Sequence, residues 1–181
     1  MGVALAGCGV TSAGQSSALL IQRQAVEAVA YPQFAQLAWD SRDVMTADGL
    51  PLIGLRTFES LEVRASGRAP ARGLLRIAVS SGGSRGPDVV RLALQAGEAI
   101  PDANLFAVAG TIDDRGVTGE EYARRALRQS AFGGAPTQYP EFAFCLWLQW
   151  VPAAGSSADP LALDWIALTG FARPTLEVYG D

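Results

Sequence analysis

The sequence predicts a mainly β chain: an antiparallel, jelly-roll-like β-sandwich with an N-terminal helix and one short amphipathic helix inserted among the strands. Three observations carry this reading. From about residue 50 onward, apolar and polar residues alternate in short runs separated by turn-forming clusters, the period of half-buried strands. Only one internal segment carries clear helix signals, too few for the crossovers a parallel sheet needs. Two late runs, Glu141–Val151 and Leu161–Thr169, are apolar on nearly every position, as expected for central strands covered on both faces.

The change of period divides the chain into an N-terminal arm and helix, residues 1–48, and a sandwich domain, residues 49–181. Met1 to Gly14 is rich in small residues and is expected to pack against a partner surface. Within it, Leu5-Ala6-Gly7-Cys8 matches the bacterial lipoprotein cleavage motif, in which the cysteine is lipidated. Seven residues precede Cys8 and none is charged, whereas a secretory signal needs a basic segment and an apolar stretch of about 7–15 residues. The lipid-anchored alternative therefore requires an upstream signal.

Ser16 to Ala30 reads as a helix with a narrow polar stripe of Arg23, Gln24 and Glu27. Its apolar arc is wider than one core contact needs, which suggests either burial by the domain and by another chain or a helix sunk into its own core. Leu19, Leu20, Ile21, Val26 and Val29 are the candidate anchor and oligomer-interface residues. Tyr31-Pro32 ends the segment, because the residue before proline avoids the helical region. Gln33 to Asp40 adds a short turn carrying Phe34, Leu37 and Trp39.

The strands follow. Leu61 and Val63, then Leu75, Ile77 and Val79, then Val90, Leu92 and Leu94 each alternate with polar or small residues, and Leu105 to Thr111 gives a further apolar strand. Thr118-Gly119-Glu120-Glu121 is a capping box, with threonine at the N-cap and glutamate three residues on. Glu120/Arg124 and Glu121/Arg125 are i,i+4 pairs, and Gly133-Gly134 is a stop signal. Phe142, Phe144, Leu146, Leu148 and Trp150 then share one face of a strand, with Cys145, Trp147 and Gln149 on the other. Thr175 to Tyr179 is a closing strand.

Composition narrows the chemistry. The 181 residues include no histidine and no lysine; all 14 basic residues are arginine. That removes the usual general base, the commonest metal ligand and Schiff-base chemistry. The net charge is −4, and the densest arginine group, Arg124, Arg125 and Arg128, is interleaved with glutamates, so no nucleic-acid footprint is expected. Cys8 and Cys145 form neither a disulfide framework nor a zinc spacing, and Cys145 reads as a buried free thiol. No apolar run approaches the ~18 residues that span a bilayer. No cofactor and no metal are expected.

Four features could carry chemistry. Ser80 to Pro87 lacks the lysine and following helix of a phosphate loop and reads as a hairpin. Asp113, Asp114 and Glu121 are the carboxylates a glycan hydrolase would use, or a solvated loop before a capped helix. Asp164, inside an apolar strand, is expected to be buried with a structural partner. Tyr139, Trp147, Trp150 and Trp165 are candidate glycan contacts, or core and subunit-interface residues.

The layout of small-residue arm, apolar segment at Ser16–Ala30, β-sandwich and final LALDWIALTG strand resembles bacteriophage virion appendages such as tail fibres and head spikes. The resemblance implies a non-catalytic structural or binding protein, located in the virion and anchored by its N-terminus. It also implies a homo-oligomer, trimeric in many such modules, with other virion proteins and host-surface polysaccharide as partners. The alternatives are a bacterial envelope lipoprotein attached through Cys8 and a carboxylate-dependent glycan hydrolase.

Overall fold

The computed structural model describes residues 16–30, 35–39, 59–80, 85–132 and 144–172. These residues are mainly antiparallel β-structure with few helices. The strands are β1 (Ser16–Ala30), β2 (Ala35–Trp39), β3 (Ser60–Gly67), β4 (Gly73–Ser80), β5 (Asp88–Leu94), β6 (Phe144–Pro152) and β7 (Leu161–Ala172); the helices are α1 (Leu105–Ala109) and α2 (Gly119–Phe132). Strand order is β3-β7-β1-β6-β4-β5, with β2 also on β6. Among the described residues no helix is long and apolar enough to cross a membrane.

The N-terminal helix is corrected to a strand. Residues 16–30 form β1, which pairs antiparallel with β7 from Ser16↔Ala172 to Ala28↔Leu161 and then touches β6 in parallel at Val29↔Gln149 and Ala30↔Trp150. The wide apolar arc that suggested two-sided burial belongs to a strand that joins two sheets, and Ala28 is fully buried there. β1 and β2, both before residue 48, pair with β6 and β7. The expected turn at 33–40 contains β2, aligned with β6 from Ala35↔Leu148 to Trp39↔Phe144. Met1 to Gly14, Cys8 and Thr175 to Tyr179 lie outside the described residues.

The alternating runs become β3, β4 and β5 as their period requires. Leu61, Val63 and Ala65 of β3 and Leu75, Ile77 and Val79 of β4 turn into the core. They meet Phe144, Leu146, Leu148 and Trp150 of β6 and Leu161, Leu163, Ile166 and Leu168 of β7. The Ser80–Pro87 segment joins β4 to β5, which pair antiparallel as a hairpin. β6 is buried on both faces, with Cys145 a buried free thiol that accepts from Gln36 Nε2 at 3.1 Å.

Leu105 to Thr111, predicted as a strand, is corrected to the helix α1. Asn104 caps it, accepting from Phe106 N at 3.2 Å, and Gly110 ends it with φ of 72°, a conformation that favours glycine. A short apolar run is ambiguous by period alone, and the cap decides it. The expected capping box holds in half: Glu121 N donates to Thr118 Oγ1 at 3.1 Å, while the Glu121 side chain pairs with Arg125 instead.

The two ends of the strand order, β3 and β5, are brought together. From the last residue of β3 and past the end of β5 the chain pairs directly, with Ala69 N to Glu98 O at 2.8 Å, Gly97 N to Ala69 O at 2.9 Å and Ile100 N to Gly67 O at 3.0 Å. Higher up, the outward-facing groups of β3 are met by helix side chains. Asn104 Nδ2 donates to Leu61 O at 3.2 Å, Asn104 Oδ1 accepts from Val63 N at 3.2 Å, and Glu120 Oε1 accepts from Leu61 N at 3.1 Å. On the β5 side Gly119 lies so close that a Cβ there would sit 1.9 Å from Val89 O.

Two predictions follow from this packing. Gly119→Ala would gain up to about 1 kcal/mol on an exposed helix; here the contact with Val89 should turn it into a loss of ~1–3 kcal/mol by urea denaturation. A chain beginning at Tyr31 lacks β1 and should show no cooperative thermal transition by circular dichroism.

Candidate functional site

The site is built by an irregularity in β7. Against β3 the register steps from Ser66↔Trp165 to Gly67↔Leu163; against β1 it steps from Gln24↔Ile166 to Val26↔Leu163. Both neighbours thus leave one extra residue at Asp164–Trp165, a β-bulge. In a regular strand Trp165 would follow Leu163 into the core. With the extra residue, Leu163 and Ile166 are both buried, Asp164 is exposed and Trp165 is half-buried. Asp164 was expected to be buried; the bulge is why it is not.

Three neighbours converge on this bulge. The Arg23 guanidinium of β1 stacks over the Trp165 ring, its carbon 4.1 Å from the ring centroid. Ser66 of β3 donates its hydroxyl to Asp164 Oδ2 at 3.1 Å. Gly67 lets the strands approach, since a Cβ there would lie 2.9 Å from Ala162 O. The result is an aromatic ring flanked by a cation, an anion and a hydroxyl at the sheet surface. Such a set can hold the apolar face of a ring-shaped ligand while its hydroxyls meet the carboxylate.

The other candidate residues do not join it. Trp150 is fully buried in the core, which corrects its assignment as a glycan contact; its ring covers Gly73, where a Cβ would lie 2.5 Å from Cζ2. Trp147 points from the opposite face of β6 and donates Nε1–H to Ser80 Oγ at 2.9 Å. It lies between β2 and β4, whereas Trp165 lies between β1 and β3. Tyr139 is outside the described residues. Leu19, Leu20, Ile21 and Val29 fall on β1, but their side chains are outside the described residues. Val26, the one of the five whose side chain is described, is half-buried and packs against the domain's own core.

Two of the three carboxylates of the hydrolase alternative make local contacts. Asp113 Oδ1 accepts from Arg115 N at 2.9 Å and Val117 N at 3.0 Å, closing the loop before α2. Glu121 pairs with Arg125, and Asp114 is exposed. Among the described residues no group of three or more His, Cys, Asp or Glu side chains could hold a metal ion.

Arg23 and Ser66 were not singled out in the sequence as site residues, because their meeting depends on strand register. One signal was present: the buried positions of the last strand slip from odd (Leu161, Leu163) to even (Ile166, Leu168) across Asp164–Trp165. Searches against protein-family models, curated proteins and solved structures find no match.

The Arg23–Trp165 stack generates a direct prediction. Arg23→Ala should cost about 0.5–1 kcal/mol in chemical denaturation, the range of an exposed cation–π contact.

Proposed function

We propose that this chain is a non-catalytic structural and binding protein of the bacteriophage-virion type, which associates with copies of itself and engages a surface polysaccharide at the Asp164–Trp165 bulge. We read the two sheets, β3-β7-β1 and β5-β4-β6-β2, as the halves of a sandwich joined through β1. The observation that carries the binding reading is the bulge itself. It turns a half-buried tryptophan and an exposed carboxylate out side by side in a strand that buries Leu161, Leu163, Ile166 and Leu168.

In this reading the part of the half-buried Trp165 ring that Arg23 leaves uncovered meets the C–H face of a sugar. Arg23 restrains the ring, which lowers the ordering cost of binding. Asp164 accepts from ligand hydroxyls and Ser66 holds the carboxylate in place. Nothing in this role requires a histidine or lysine. The virion assignment rests on the layout of the sequence. Self-association has its support in the low charge of the chain, 18% of residues, which leaves much surface suited to contact with other subunits.

The test is binding of a panel of bacterial surface polysaccharides to wild-type protein and Trp165→Ala. At least one should bind wild type and lose about tenfold or more in affinity in the variant, as removal of a stacking aromatic anchor implies. The variant's unfolding midpoint should stay within a few degrees of wild type. No binding by wild type, or equal binding by the variant, would refute the reading. Light scattering should show a defined oligomer.

A further inference from the structure

A second site stands on the other sheet, independent of the bulge. Arg76 of β4 and Arg91 of β5 are direct cross-strand partners, and Arg76 is also the partner of Gln149 on β6. Directly opposed like charges destabilise a sheet unless something compensates them. The compensation is a single carboxylate. A register shift between Ile77↔Val90 and Ala78↔Asp88 brings Asp88 beside this pair.

Asp88 is the centre of the cluster. Its Oδ2 accepts from Arg76 Nε at 2.8 Å and lies 3.9 Å from Arg91 Nε; its Oδ1 pairs with Arg85 Nη2. Arg76 Nη1 donates to Gln149 Oε1 at 2.8 Å. The Asp88 side chain is only 13% exposed, whereas Arg91 is 68% exposed. Arg76 and Arg91 thus face each other across one carboxylate oxygen, with Arg85 on the other oxygen, on a chain whose net charge is −4. Arg76 alone pairs closely with that oxygen of Asp88; the exposed Arg91 beside it adds repulsion that a second anion would offset.

We propose that Arg91, backed by Arg76 and Arg85, binds an oxyanion: a phosphate, sulfate or carboxylate group. Each guanidinium has five N–H donors in a planar fork matched to such groups. Asp88 and Gln149 hold Arg76 in place from one side, and Arg91 stands at the rim as the arm that meets the ligand. Asp88 serves here as a positioning residue that keeps the guanidiniums from splaying apart.

The test is calorimetric titration of the full chain with inorganic phosphate at constant ionic strength, so that general salt effects are held fixed. Wild type should bind saturably. Arg91→Ala and Arg91→Gln should each weaken binding about tenfold, the effect of losing one charge-assisted contact. Arg125→Ala, which removes a remote ion pair on α2, should leave binding unchanged. A saturable isotherm that persists unaltered in both Arg91 variants, or its absence in wild type, overturns the proposal. Glucose 1-phosphate separates the sources: tighter binding than inorganic phosphate assigns the anion to a saccharide, and equal binding assigns it to the free ion. Trp165→Ala should retain phosphate binding, so this site can stand if the polysaccharide reading fails.

Discussion

The edge of β3 must be satisfied, and the side-chain amide of Asn104 meets two of its groups at once. Every outward N–H and C=O of an edge strand needs a partner or water, and an exposed edge invites pairing with another chain. Asn104 donates to Leu61 O and accepts from Val63 N, so its amide occupies the place of a peptide unit in a neighbouring strand. The same oxygen accepts from Phe106 N and thereby starts α1. Glu120 meets the edge at Leu61 N and also lies 3.6 Å from Arg124. A single connection between β5 and β6 thus supplies the caps for two helices and the missing partner of a strand.

Much else depends on that closure. With Asn104 and Glu120 on β3 and Gly119 against Val89 of β5, α2 is held between the two ends of the strand order. Ala123 and Leu127 then reach the core beside Leu105 and Phe106. β3 in turn holds β7 in register, and the β7 register produces the bulge. The two candidate sites stand on separate sheets, Trp165 beyond β3 and the Asp88 cluster on β4 and β5. Trp165, Arg76 and Arg91 are placed by strand register, which favours preorganised contacts.

The fold was legible where period and local chemistry agree. Leu61/Val63, Leu75/Ile77/Val79 and the two-faced run at residues 144–151 read correctly because alternation and length are properties of the segment itself. α2 read correctly because its cap and i,i+4 pairs are local. β1 did not: its Ala, Leu, Gln and Glu residues favour helix, and pairing with β7 and β6 overrode that preference. α1 was missed because five apolar residues suit either state, although Asn104 before and Gly110 after them were the signals to weigh. Half of the bulge site was legible, in Trp165 and Asp164. Arg23 and Ser66 come from strands remote in sequence, and only register places them there.

The central claim is that the Asn104 side chain stands in for a strand. Amide hydrogen exchange at Leu61 and Val63, in wild type and in Asn104→Ala, tests it most directly. The account predicts slow exchange at both amides in wild type. In the variant Val63 should lose protection by at least about tenfold, and global stability should fall by ~1–3 kcal/mol as buried groups lose their partners. Unchanged protection at Val63 in a variant that folds would contradict it.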